Sequence, residues 1–332
     1  MKIPYDLNKE LMQSVTPSMA FDGSDFALWQ KSSREKLAKL LGMDKFQKVA
    51  PELEIEFERD IPGGREIRFT FRSEAGYRVP CHLLLPEGVE NPPVMICLQG
   101  HSKGMHISLG QPKYPGDEET IAGNRDFCVR ALREGYAAIA TEQRHFGECG
   151  GTAEGPQCLY PSLTSLLMGR TTIGERVWDI ARLIDVLEES FADKVDLSAI
   201  CCMGNSGGGT ATAYVAALDD RIRLAMPSCA MCTYKDSIGA MPHCACNYVP
   251  HIAEYFDMGD LMAMAYPKYF VQVSGKEDPI FPFFGAEAVF EAGKAAYAAN
   301  GDAERCAMVI GQGGHRFYAD DAWPIVHELL KR

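Results

Sequence analysis

The sequence predicts an α/β fold with a mostly parallel central sheet covered by helices on both faces. Three observations carry that expectation. Runs that are apolar almost throughout recur at 93–98, 136–141 and 197–203, as in strands buried on both sides. Ile173, Val177, Ile180, Ile184 and Leu187 step by 4, 3, 4 and 3, which marks one face of an amphipathic helix. Ahead of these lies a block of alternating runs that reads as an antiparallel meander.

Taken in order, the first predicted element is a helix over about 24–42. Ser24 caps it, Phe26, Trp29, Leu37, Leu40 and Leu41 fall near helical spacing, and Gly42 ends it. Leu53–Ile61, Glu66–Phe71 and Arg78–Leu85 form the meander, with Pro62-Gly63-Gly64 as a turn. Pro93–Leu98 and Tyr136–Thr141 are the first buried strands, and the amphipathic helix of residues 173–187 follows. Leu197–Met203, Arg223–Cys229, Tyr269–Gly275 and Arg305–Ile310 complete the strands. Helices are expected at Thr210–Leu218, at Gly285–Ala299 and at Ala322–Leu330, the last with Pro324 near its first turn. Two irregular segments, about 101–130 and 230–268, each follow a strand and read as functional loops or a cap.

Length and composition narrow the class. The 332 residues suggest two domains by length, but no linker or composition break interrupts them, so a single domain over 1–332 is expected. Hydrophobic residues make up 46 % and charged residues 23 %, which excludes a disordered chain. With 33 Lys+Arg against 45 Asp+Glu the net charge is −12, which argues against nucleic acid or an anionic membrane as partner. No apolar run nears the ~18 residues of a membrane helix. The first residues lack a secretory signal, so a cytoplasmic location and reduced thiols are expected.

The pattern G-x-S-x-G occurs twice, as Gly100-His101-Ser102-Lys103-Gly104 and as Gly204-Asn205-Ser206-Gly207-Gly208. A nucleophile elbow needs a strand before it, a helix after it, and small residues two positions to either side, because the turn crowds them. The second copy meets all three conditions. The first runs into MHISLGQPKYPGDE, whose prolines and glycines exclude a helix. Ser206 is therefore the expected nucleophile, with the backbone N–H of Gly207 as one oxyanion donor at a helix N-terminus.

A serine nucleophile needs a base. His315 follows the last strand in Gly311-Gln312-Gly313-Gly314-His315. The orienting acid should lie between the two, after a strand end, where Glu277-Asp278-Pro279 stands. Pro279 holds Asp278 extended, which favours Asp278 with Glu277 in reserve. The order Ser206, Asp278, His315 is the α/β-hydrolase order. In that fold the loop after the Val94–Leu98 strand gives the second oxyanion donor, and the N–H of His101 is the expected group.

The chain resembles the dienelactone-hydrolase and acetyl-xylan-esterase-like group of bacterial esterases. The likeness rests on Cys97-Leu98-Gln99-Gly100-His101, on Glu142-Gln143-Arg144-His145-Phe146-Gly147-Glu148 and on Arg176-Val177-Trp178-Asp179. It rests also on the elbow, on Asp219-Asp220-Arg221-Ile222, on Gly275-Lys276-Glu277-Asp278-Pro279-Ile280-Phe281-Pro282 and on Gly314-His315-Arg316-Phe317. The resemblance implies an esterase with Ser206, Asp278 and His315 in the triad roles and no cofactor. It implies substrates that are esters of small acids, often acetyl groups on sugars. An acyltransferase or a peptidase could use the same triad, and a non-catalytic protein could keep the same fold.

Cysteine is unusually frequent, with 12 residues. Cys229-x-x-Cys232 followed by His243-Cys244-x-Cys246 can be read as zinc ligands. Against that, Cys229 ends a buried strand and C-x-C is not a usual finger spacing, so packing thiols and no metal are expected. The Met and aromatic residues of 230–268 read as cap packing, with His243 and His251 as pocket candidates. Arg176 and Asp179 read as a structural ion pair beside a packing Trp178.

Overall fold

The computed structural model describes residues 2–331. Nine strands form one sheet: β1 (Glu54–Ile61), β2 (Gly64–Glu74), β3 (Tyr77–Pro86), β4 (Pro93–Leu98), β5 (Ala137–Thr141), β6 (Asp196–Asn205), β7 (Ile222–Ser228), β8 (Tyr269–Gly275) and β9 (Cys306–Gly311). Their order across the sheet is β1-β2-β3-β5-β4-β6-β7-β8-β9. The first three pair antiparallel as a meander, and β3 meets β5 antiparallel. From β5 to β9 every pairing is parallel.

The alternation of side chains along a strand builds the two cores. In β4, Val94, Ile96 and Leu98 join the larger core, while Met95 and Cys97 join the other. The helices Phe26–Leu41, Thr172–Ser190, Gly207–Leu218 and Phe283–Ala299 cover the first face; Phe127–Arg133 and Ala319–Leu330 cover the second. Most thiols serve this packing: ten of the twelve cysteines are buried, Cys81 and Cys202 in one core, Cys97 and Cys201 in the other.

Two local expectations need correction. The helix Phe26–Leu41 is capped by Asp25, not Ser24: the Asp25 carboxylate accepts from the Leu28 N–H at 3.1 Å. Its end is as expected, with Gly42 left-handed at φ 74°. The last helix begins at Ala319, three residues before the expected start, so Pro324 is its sixth residue rather than part of its first turn. A further helix, Pro4–Ser14, was not expected; its Leu7 and Leu11 are exposed, and its Met12 packs partly buried against the larger core.

Candidate active site

Because β4 and β6 to β9 run parallel, their C-terminal ends lie along one edge of the sheet, where ligands of open α/β sheets bind. Each expected site residue stands just beyond one of these ends.

Ser206 sits between β6 and the helix Gly207–Leu218 at φ 56° and ψ −124°, a conformation that costs an L-residue about 1–3 kcal/mol. The glycines around it make the turn possible. A Cβ on Gly204 would lie 2.4 Å from the carbonyl carbon of Gly208, and one on Gly208 would lie 2.1 Å from the Leu98 oxygen. The Ser206 N–H donates to the Ser228 carbonyl at 2.8 Å, which ties the turn to the end of β7.

His315 and Asp278 come together from the loops after β9 and β8. His315 Nδ1 lies 2.8 Å from Asp278 Oδ2, and Asp278 Oδ1 accepts the N–H groups of Ile280 (2.8 Å) and Phe281 (3.0 Å). Burial alone would raise the Asp278 carboxyl, but His315 and these N–H groups outweigh it and hold the group below the usual carboxylate range. Glu277, the reserve, is exposed. The two loops are laced by the Lys276 N–H to Gly311 (2.8 Å) and the Glu277 N–H to Gly313 (2.9 Å). The Phe281 ring stacks on the imidazole at 5.8 Å and 14°.

Ser206, His315 and His101 line one cavity of about 310 Å³, with Arg125, His243, Cys244 and Phe281 among its walls. Gly100 brings the β4 loop against the elbow: an ideal Cβ there would meet Ser206 Cβ at 3.0 Å and Arg125 Nη2 at 3.0 Å. The His101 ring lies over Gly207, whose ideal Cβ would meet it at 2.7 Å. Its Nε2 is 3.2 Å from Cys246 Sγ. Ser102, the rival serine, is not among the cavity's walls.

Arg125 is the site residue that pattern reasoning missed. Its Nη2 donates to Gln99 Oε1 at 3.3 Å, its buried Nε has no partner, and burial pulls the guanidinium down to about 10. Among the described residues no carboxylate pairs with it. It ends a kinked π-helical turn, Ile121–Arg125, within an irregular segment, so no periodicity signals it. Of the two histidines singled out in the cap, His243 lines the cavity, whereas His251 is exposed and pairs with Glu254 at 2.8 Å.

Two other expectations are corrected. Asp179 pairs with Arg144 at 2.7 Å, not with Arg176. The five-residue cap cluster splits: Cys229 Sγ donates to the Arg316 carbonyl at 3.2 Å beside Asp278, and Cys232 Sγ donates to Pro282 at 3.6 Å. Cys244 and Cys246 instead lie with His101 and Cys158. Of the Met and aromatic residues of this segment, Phe256, Met258, Met262 and Met264 pack in the larger core as expected, whereas Tyr248 is exposed.

Comparison with known proteins agrees with the fold. A family model described as glucuronyl esterase, fungi, matches residues 132–233, which include the elbow. A candidate hydrolase of Bacillus subtilis (strain 168), YtaP, is 24 % identical over 241 residues, covering 72 % of this chain and 78 % of that protein. A candidate acetyl xylan esterase from Bacteroides fragilis NCTC 9343 superposes with a TM-score of 0.79 at 17 % identity, covering 98 % of this chain and 84 % of that one. A glucuronoyl esterase from Solibacter usitatus gives 0.68 at 14 % identity, covering 96 % and 98 %. The chain is thus an α/β-hydrolase-fold protein, similar in sequence over residues 132–233 to a glucuronyl esterase family and similar in fold to carboxylic ester hydrolases.

Proposed function

We propose that the chain hydrolyses carboxylic esters, with small acyl groups such as acetyl on a carbohydrate as the substrate class. The observation that carries this reading is one cavity shared by a serine on a strained elbow and a histidine held by a buried aspartate. The relatives described as acetyl xylan and glucuronoyl esterases support the carbohydrate part.

In this reading Ser206 Oγ attacks the ester carbonyl while His315 accepts its proton. Asp278 keeps the imidazole in the tautomer that faces the serine and stabilises the imidazolium without taking the proton. The N–H groups of Gly207 and His101 hold the oxyanion, and one such donor is worth roughly 3–4 kcal/mol in the transition state. Arg125 adds a fixed positive charge beside the reacting centre, where a low dielectric magnifies its effect. His315 returns the proton to the departing alkoxide. It then activates a water that opens the acyl-enzyme and frees the acid. No metal or cofactor takes part in these steps. The whole chain acts as a single domain, and its many buried thiols suit a reducing compartment such as the cytoplasm.

Labelling with a fluorophosphonate followed by peptide mapping tests the reading. The label is expected on Ser206. A label on Ser102, or no reaction by a folded protein, overturns it.

A further inference from the structure

We propose that His101, Cys158, Cys244 and Cys246 form a closed structural site for a zinc-like divalent cation, which fastens the loop after β4 to the cap. Their four donor atoms all lie within 4.8 Å of one another. A tetrahedral zinc with Zn–S of about 2.3 Å and Zn–N of about 2.0 Å sets its donors roughly 3.5–3.8 Å apart, so this cluster needs only a small contraction or expansion to hold one. Cys₃His is one of the donor sets that zinc uses in structural sites.

The ligands come from three separate places. His101 follows β4, Cys158 precedes the helix Leu159–Leu167, and Cys244 and Cys246 flank Ala245 in the cap. Cys158 and Cys246 are buried together against Phe146, which gives the site a dry side.

Arg176 is the second, independent observation. It is fully buried, and its Nη1 and Nη2 lie 3.4 Å from Cys246 Sγ and 3.7 Å from Cys158 Sγ. The carboxylate expected to pair with it, Asp179, is bound to Arg144 instead. A buried guanidinium needs a counter-charge. Three thiolates around a dication carry a net charge of −1, and Arg176 cancels it. Hydrogen bonds from such a group to the ligating sulfurs are the usual outer support of a metal site.

All four positions are filled by the protein, so the metal has no open site for water or substrate and no part in the chemistry. Its effect would be on position. The His101 ring it holds lies against Gly207 at the elbow. Only this consequence for turnover rests on the ester-hydrolase reading; the binding of metal does not.

The test uses the full chain expressed with zinc and purified under reducing conditions. Elemental analysis should find about one zinc per chain. The zinc should be lost in Cys158→Ser and Cys246→Ser and kept in Cys229→Ser and Cys232→Ser. Replacement by cobalt(II) should give tetrahedral d–d bands and a thiolate-to-cobalt charge-transfer band. That spectrum on the wild-type chain decides the matter even where a cysteine variant fails to fold. A folded wild-type protein that holds no zinc and shows no charge-transfer band overturns the proposal, and so does a disulfide within the cluster. Zinc without fluorophosphonate labelling sinks the esterase reading and leaves the metal site standing; labelling without zinc does the reverse.

Discussion

The two G-x-S-x-G segments leave adjacent parallel strands side by side, with Leu98 of β4 in register with Gly204 of β6, yet they become different things. After Ser206 the chain enters a helix of 12 residues, and the serine is held at positive φ over the cavity. After Ser102 it enters a short 3₁₀ turn, Met105–Ile107, and the Ser102 hydroxyl is buried without a partner. The first copy uses its glycines otherwise: Gly100 admits Ser206 and Arg125, and Gly104, at φ 143°, fits against Glu142. A five-residue pattern acquires its conformation from the element that follows it.

Five substitutions test this contrast. Ser206→Ala should lower kcat for a small aryl acetate by on the order of 10⁶, as loss of a triad serine does. Ser102→Ala should leave it nearly unchanged, and equal losses would erase the distinction between the copies. Asp278→Asn should cost about 10⁴ in kcat, since the imidazole would then take the wrong tautomer. Glu277→Gln should cost little, and a loss matching Asp278→Asn would move the acid. Arg125→Gln removes the charge lodged between the two segments. A hydrogen bond to a charged group is worth about 1.5–3 kcal/mol, so kcat/KM should fall roughly tenfold to a hundredfold. An unchanged kcat/KM would leave Arg125 a packing residue.

A last effect, on stability and not on turnover, concerns the first copy alone. Burial raises Glu142 from 4.5 to about 7, although it accepts the backbone N–H groups of Met105 (3.1 Å) and Glu148 (3.3 Å). The folded chain therefore binds more protons than the unfolded chain between about pH 4.5 and pH 7, and stability declines as pH rises through that window. The whole change is on the order of 3 kcal/mol. Glu142→Gln should flatten that slope in thermal melts, whatever its overall stability. A slope that survives would assign the titration to another group.

Much of this was legible in the sequence because the sheet is built of short, apolar, bounded runs. Pro93–Leu98 and Tyr269–Gly275 have the observed limits. Ser206, Asp278 and His315 were legible because a parallel sheet delivers residues just past strand ends to one edge, whatever their separation along the chain. Arg125 and Cys158 were not, since each lies outside any periodic run and reaches the site only through the packing of distant segments. The partners of Arg176 and Asp179 were misjudged for the same reason. Spacing on one helix shows which residues are neighbours, but not that Arg144, from the loop after β5, would take the carboxylate first.

The strained backbone at Ser206 carries a meaning beyond geometry. Gly204, Gly207, Gly208 and Gly209 surround it, and a glycine in the same place would adopt φ 56° freely. Ser206 therefore carries a backbone cost that a glycine there would not, so Ser206→Gly is expected to raise the melting temperature even as it removes the hydroxyl.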